Sequence, residues 1–186
     1  MEKLFSQHLL KMIPSISNYT IKQNEICLNI PFNIIISVIS FFKYHTNCQY
    51  KLLSDLCIVD YPSRSNRFDI IYNLLSLRFN SRITIKVIVN ELQIVPSLTK
   101  VYRSANWWER EAWDMFGVFF SNHPNLRRIL SDYGFEGHPL QKNFPLSGFI
   151  EMRYNEIEKR VVNETLELCQ EYRTFSFLSP WELKKL

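Results

Sequence analysis

Between Tyr19 and Ile30 apolar and polar residues alternate (Ile21, Gln23, Ile26, Leu28, Ile30), the period of a strand with one buried face. Ahead of it, Lys3–Ile13 places Leu4, His8/Leu9 and Met12 at helical spacing, and Pro14 stops the run. Pro31 suits the first turn of a helix that extends to about Tyr44. Gln49–Asp60 ends in the strand-like run Leu-Cys-Ile-Val. Phe68–Leu77 and Arg82–Val89 are rich in β-branched and aromatic residues and read as two strands turning at Phe79-Asn80-Ser81. A second helical region is expected to begin at Pro96-Ser97. The pattern predicts an α+β domain, a mixed sandwich of three to five strands with helices packed on the sheet.

All four glycines fall between Gly117 and Gly148, in a stretch that also holds Pro124, Pro139 and Pro145. A segment so rich in turn residues is loop, and one of this length serves a function or a partner surface. The sequence therefore divides into an α/β domain over 1–120 and a long, mostly irregular C-terminal arm over 121–186. Within that arm Tyr154, Ile157, Val161, Val162, Thr165, Leu168, Cys169 and Tyr172 also make a helical stripe, so periodicity alone leaves 154–173 open between helix and extended chain.

Charge refines this division. The chain of 186 residues carries a formal charge of +4. Residues 1–105 hold 12 Lys/Arg against 6 Asp/Glu, and residues 106–186 hold 10 against 12. A basic half joined to a slightly acidic half suits protein partners better than a polyanion. The most apolar stretch, Pro31–Phe42, is too short to span a bilayer. Met1–Pro14 has neither the cleavage site of a secretory signal nor the arginines of a transit peptide. With 19 Ile and 15 Asn but only 2 Ala, the composition follows A/T-rich codons and points to an A/T-biased genome such as an organelle's.

Candidate chemistry is sparse. Cysteines 27, 48, 57 and 169 lack the close spacing of a zinc or iron–sulfur ligand set. The densest polar cluster, Trp107–Asp114, holds Glu109 and Glu111, but two residues of helix separate them by about 200°, on opposite flanks. They border an apolar stripe of Ala105, Trp108, Ala112, Met115 and Phe116, with Arg110 and Asp114 an i,i+4 pair on the outer face. His123 and His138 each precede a proline and read as turn histidines bonded to nearby carbonyls. Two competing functions follow from these groups: a soluble hydrolase using Glu111 with His123 or His138, and a basic nucleic-acid-binding module around Arg127-Arg128 and Lys184-Lys185.

The run Glu109-Arg110-Glu111-Ala112-Trp113-Asp114-Met115-Phe116-Gly117 continues through His123-Pro124-Asn125-Leu126-Arg127-Arg128 and Asp132-Tyr133-Gly134-Phe135-Glu136-Gly137-His138-Pro139. With Phe144-Pro145-Leu146-Ser147-Gly148, Arg153-Tyr154 and Ser179-Pro180-Trp181-Glu182 it closely resembles the signature of the 30 kDa subunit of respiratory complex I, also called NADH dehydrogenase subunit 9, in its mitochondrial form. The resemblance covers roughly 107–182. It implies a core subunit of the peripheral arm, in the quinone module of the proton-pumping NADH:ubiquinone oxidoreductase. Such a subunit has no catalytic residues of its own and no cofactor, because FMN and the iron–sulfur clusters sit in partner subunits. It holds the large quinone-site subunit, contacts the subunit bearing the terminal cluster and other peripheral-arm subunits, binds no nucleic acid, and lies on the matrix side of the mitochondrial inner membrane. The signature residues Glu109, Arg110, Glu111, Asp114, Gly117, His123, Pro124, Arg127, Arg128, Asp132, Gly134, Gly137, His138, Pro139, Phe144, Arg153, Tyr154 and Trp181 would be structural or interfacial.

Three departures from the family pattern stand out. Gln141, Lys142 and Asn143 replace Arg-Lys-Asp, Asn155 replaces an aspartate, and Glu164-Thr165 replaces Glu-Pro. The first two exchange charge pairs for neutral hydrogen bonds. The family's proline at the third would break a helix, so the resemblance predicts an extended or hairpin arm.

Overall fold

The computed structural model describes residues 25–170 continuously, together with 8–9, 11–14, 16, 18–22, 172–173, 175 and 181. Five strands form the main sheet: β1 (Asn18–Lys22), β2 (Glu25–Asn29), β3 (Leu52–Asp60), β4 (Phe68–Ser76) and β5 (Ser81–Val89), in the order β1-β2-β5-β4-β3. Within this sheet β2 and β5 pair in parallel and the other neighbours are antiparallel. A 3-10 turn at Phe32–Ile34 leads into helix α1 (Ile35–Tyr44), and α2 spans Ala105–Phe116.

Register explains the core. Leu28, Ile85, Tyr72 and Leu56 lie side by side across four strands, and all are buried. Ile35, Val38, Ile39 and Phe42 of α1 and Ala105 and Ala112 of α2 join the same apolar cluster, so both helices cover one face of the sheet. The opposite face carries half-buried polar positions, such as Thr84 bonded to Asn73 at 3.0 Å. The fold is α+β with five main strands, as the pattern implied.

Two elements differ from expectation. Tyr19–Ile30 is a hairpin rather than one strand, with Ile21 opposite Ile26. The spacing of five between these isoleucines breaks the even period of a single strand, and the reversal restores both to one face. Pro96 ends no loop into a helix. Val95–Pro96 (β6) pairs in parallel with Phe120–Ser121 (β7), and α2 starts only at Ala105. Most of the helix expected over Lys3–Ile13 lies outside the described residues, although His8, Leu9, Lys11 and Met12 are helical.

The chain forms two compact units, residues 1–145 and 146–186. The first therefore runs past the composition-based boundary near 121, because residues 123–143 are tied down by hydrogen bonds to the α/β layer. In the second, β8 (Ile150–Asn155) and β9 (Arg160–Thr165) form an antiparallel hairpin, the extended form that the resemblance implied. Asn155 makes its turn, Oδ1 accepting the amides of Ile157 and Glu158.

Candidate functional site

Helix α2 is buried on two sides. Its core side is Ala105, Glu109 and Ala112, with Trp108 and Phe116 packed at the margin. Glu109 thus occupies the centre of the stripe it was expected to border. It is there because the turn after β6 needs an acceptor. Ser97 Oγ donates to Oε2 at 2.5 Å and the Leu98 amide to Oε1 at 2.6 Å. Burial raises the Glu109 carboxyl to about 7, and these two bonds oppose that rise. The buried Tyr72 hydroxyl is pushed well above its usual value, by burial first and then by the nearby Glu109 charge.

His123 lies beside this carboxylate with its ring fully buried, Nε2 3.9 Å from Oε2. Its Nδ1 accepts the Asn125 amide at 3.1 Å, so Nε2 carries the proton and donates to the Asn106 carbonyl at 3.1 Å. Both nitrogens are occupied by backbone. The residue next to His123 is Glu109, not Glu111, and among the described residues Glu111 makes no hydrogen bond or ion pair. The hydrolase pairing of Glu111 with either histidine is not assembled.

The opposite side of α2 carries Asp114, whose side chain is wholly buried. It does not pair with Arg110 on an outer face, because the loop 127–131 folds over it. Arg128 Nη1 donates to Oδ1 at 2.8 Å, and the amides of Ile129, Leu130 and Ser131 donate to Oδ2 at 3.1, 2.8 and 2.9 Å. The Ser131 hydroxyl adds a further bond to Oδ1. Burial alone would raise this carboxyl; the bonds from Ser131, Leu130 and Arg128 outweigh it and hold Asp114 far below the usual range. Arg110 instead donates to the carbonyls of Arg127 and Arg128 at 3.1 and 3.3 Å. Arg128 also lies over the rings of Trp113 and Phe135.

A helix leaves its last four carbonyls without helical partners. Here the glycine- and proline-rich loop supplies them. The Gly117 amide caps Trp113, His138 Nδ1 donates to Asp114 at 3.0 Å, the Leu140 amide to Met115 at 3.0 Å, and Gln141 Nε2 to Phe116 at 2.6 Å. Gly117 is left-handed (φ 78°), and an added Cβ would lie 2.7 Å from the His138 ring. Gly137 must be bare for a related reason, since a Cβ would meet Phe144 at 3.0 Å while Phe144 stacks on Phe135. Pro124, Pro139, Asp132 and Gly134 lie in the turns between these anchors.

The loop's far end is clasped by Arg67. That side chain grips both oxygens of Asp60 at 2.6 and 2.8 Å, Glu91 at 2.5 Å and Asn143 Oδ1 at 3.0 Å, while the Lys142 amide donates to Asp60. Of two departures from the family pattern, Gln141 makes a neutral hydrogen bond to a backbone carbonyl, whereas Asn143 accepts a charge-assisted bond from the Arg67 guanidinium. Nothing in the sequence separation of 76 residues announces the Arg67–Asn143 contact.

In the second unit Arg153 pairs with Glu164 across the hairpin. Tyr154 stands on the other face, and Trp181 is exposed. Among the described residues no three His, Cys, Asp or Glu side chains converge to hold a metal, and no helix is long and apolar enough to cross a membrane.

An α+β domain whose densest polar segment is spent on splinting its own helix and loop is the class these observations define. Comparison with known proteins places it further. The family model of the respiratory-chain NADH dehydrogenase 30 Kd subunit matches residues 28–150, and the chain belongs to that family. It is 54% identical over 181 residues to NADH-ubiquinone oxidoreductase subunit 9 of Reclinomonas americana, covering 97% of this chain and 89% of that one. The Prototheca wickerhamii subunit 9 is 51% identical, covering 98% and 95%. NADH dehydrogenase [ubiquinone] iron-sulfur protein 3 of Solanum tuberosum is 56% identical over 148 residues, 80% of this chain and 78% of that one. Among solved structures, a trypsin-resistant fragment of Nqo5 matches with a TM-score of 0.56 at 27% identity, covering 68% of this chain and all of the fragment. A chain of an archaeal membrane-bound sulfane sulfur reductase shares the fold, with a TM-score of 0.67 at 19% identity over 77% of this chain and 85% of that one.

Proposed function

We propose that this chain is a cofactor-free core subunit of the peripheral arm of mitochondrial NADH:ubiquinone oxidoreductase, placed on the matrix side of the inner membrane. Its folded unit and its hairpin hold the large quinone-site subunit and contact the subunit bearing the terminal cluster. The chain contributes to electron transfer from NADH to ubiquinone by assembling the machine, and its own residues perform no chemical step. The cofactor-free part of the reading rests on the dispersed cysteines of the sequence together with the family.

One observation carries the scaffold role. The hairpin displays Ile150, Met152, Tyr154 and Val161 on a single face, each 58–63% exposed, and charged residues including Arg153 and Glu164 on the other. A lone two-stranded hairpin is marginal in water, and a one-sided apolar face of this kind gains order from a partner. Arg153 and Tyr154 belong to this surface. Phe144 of the signature is packed against Phe135 within the first unit. That a trypsin-resistant fragment of the relative Nqo5 corresponds to 68% of this chain agrees with a stable first unit.

Native electrophoresis of extracts from the source tests the reading. The chain should run in a band of several hundred kilodaltons or more with NADH:ubiquinone activity, and its depletion should remove that band. A free species of 22.3 kDa as the main form would overturn it. In the isolated chain, trypsin should cut first at Arg153, Lys159 and Arg160 and leave residues 1–145 intact. Equal resistance of both units would show that the hairpin needs no partner.

A further inference from the structure

Of three arginines at α2 and the loop over it, Arg110 bonds the backbone carbonyls of Arg127 and Arg128, whereas Arg128 is paired with the Asp114 carboxylate. The carboxylate that would neutralise its neighbours, Asp114, already accepts five hydrogen bonds. Arg127 is exposed, and Arg110 is held against it by donating to its carbonyl oxygen. Among the described residues neither has an ion-pair partner within 4.0 Å. The Arg110 guanidinium is pushed below its usual value, by desolvation first and then by the charge of Arg127. The fold therefore keeps Arg110 bonded to the backbone of an exposed arginine, with no carboxylate paired to either among the described residues. Leu130, 60% exposed, and Tyr133, fully exposed, follow in the same loop.

We propose that Arg127 and Arg110 form a carboxylate-receiving patch that binds an acidic segment of a neighbouring protein subunit. Two guanidinium groups offer paired N–H donors in the geometry that carboxylates accept. The exposed Leu130 and Tyr133 add apolar contact that a protein segment fills and a bare headgroup does not. The surrounding half of the chain, with 10 Lys/Arg against 12 Asp/Glu, has no long-range field to draw a nucleic acid or an anionic membrane. Recognition is then short-ranged and directed at individual carboxylates. The inference rests on the reading that the chain works within a multisubunit assembly.

Three measurements on the full chain test it. Arg127→Glu should lower the amount of assembled complex by about tenfold and make the remainder dissociate at lower salt, while the isolated variant melts like wild type, because the Arg127 side chain is exposed and makes no hydrogen bond or ion pair among the described residues. In assembled complex carrying Arg127→Lys, carbodiimide should couple position 127 to an aspartate or glutamate of another subunit, identified by peptide mass spectrometry. Phosphatidylserine vesicles should not retain the isolated chain in flotation. Wild-type-like assembly and salt resistance of Arg127→Glu would overturn the proposal, as would retention on the vesicles without carboxylate coupling. If wild type itself fails to join a large complex, the scaffold reading has failed instead.

Discussion

Replacing Asp114 by asparagine keeps the size of the side chain and removes its charge and one acceptor oxygen. In the native chain Oδ1 faces Arg128 and the Ser131 hydroxyl, and Oδ2 faces three backbone amides. An asparagine NH2 group must turn toward one of these sets, and in either rotamer donors meet donors. Removing one partner of a buried ion pair costs about 3–5 kcal/mol, chiefly because the other charge is left unpaired. Arg128 keeps 23% side-chain exposure, so water relieves part of that and the lower limit applies, about 3 kcal/mol. At roughly 2–4 °C per kcal/mol for a domain of this size, the melting temperature should fall by about 6–12 °C.

The loss can also appear locally. If 127–131 lifts from α2 before the domain unfolds, the calorimetric shift shrinks and the amides of Ile129, Leu130 and Ser131 exchange faster, by about a hundredfold for 3 kcal/mol. Scanning calorimetry and hydrogen exchange on the same variant cover both routes. Because the folded Asp114 carboxyl is depressed, its contribution is present at neutral pH and is lost as pH falls below about 4, toward the folded value. The difference between wild type and variant should therefore narrow in acid. A melting temperature within 1 °C of wild type, with unchanged exchange at 129–131, would mean that the carboxylate is not the anchor of the loop.

Two further outcomes follow from α2. Glu109→Gln should flatten the pH dependence of stability: in wild type the raised carboxyl makes stability fall as pH rises from about 4.5 to about 7, whereas the variant should hold steady there and be no less stable at pH 8, as urea titrations would read. Gly117→Ala should cost at least about 2 kcal/mol, from left-handed strain and from displacing the His138 ring, and adding His138→Ala should make the pair less than additive in a double-mutant cycle.

Strands β4 and β5 were legible because β-branched and aromatic residues concentrate in Phe68–Ser76 and Ser81–Val89, where burial on one face favours them. The hairpin at 18–29 was less so, since its reversal appears only as an odd spacing between Ile21 and Ile26. For α2 the periodicity located the apolar stripe correctly and misjudged the polar residues around it. A carboxylate beside a stripe reads as structural or interfacial, but neither Ser97 nor the amides of 129–131 can be seen from residue type as its partners. These are contacts across 11 to 17 residues made largely by backbone, which carries no side-chain signal. The extent of the first unit was hidden for the same reason: hydrogen bonds from Leu140, Gln141 and Lys142 bind a segment whose composition reads only as loop.

This backbone dependence explains what the dense polar residues of the family signature do within the fold. Asp114, His123 and His138 are reactive side-chain types, but both ring nitrogens of His123 are taken up by backbone, His138 Nδ1 is spent on the helix end, and Asp114 is filled by three amides, Ser131 and Arg128. A group whose lone pairs and protons are committed to backbone is poorly placed to exchange a proton with a substrate without first releasing a turn. Exposed apolar and cationic groups lie at the periphery instead, at Arg127, Leu130 and Tyr133 in the loop and at Ile150, Met152, Tyr154 and Val161 on the hairpin. Within the first unit the bonded interior holds the loop that carries Arg127, Leu130 and Tyr133, and in the second the hairpin carries its own exposed face.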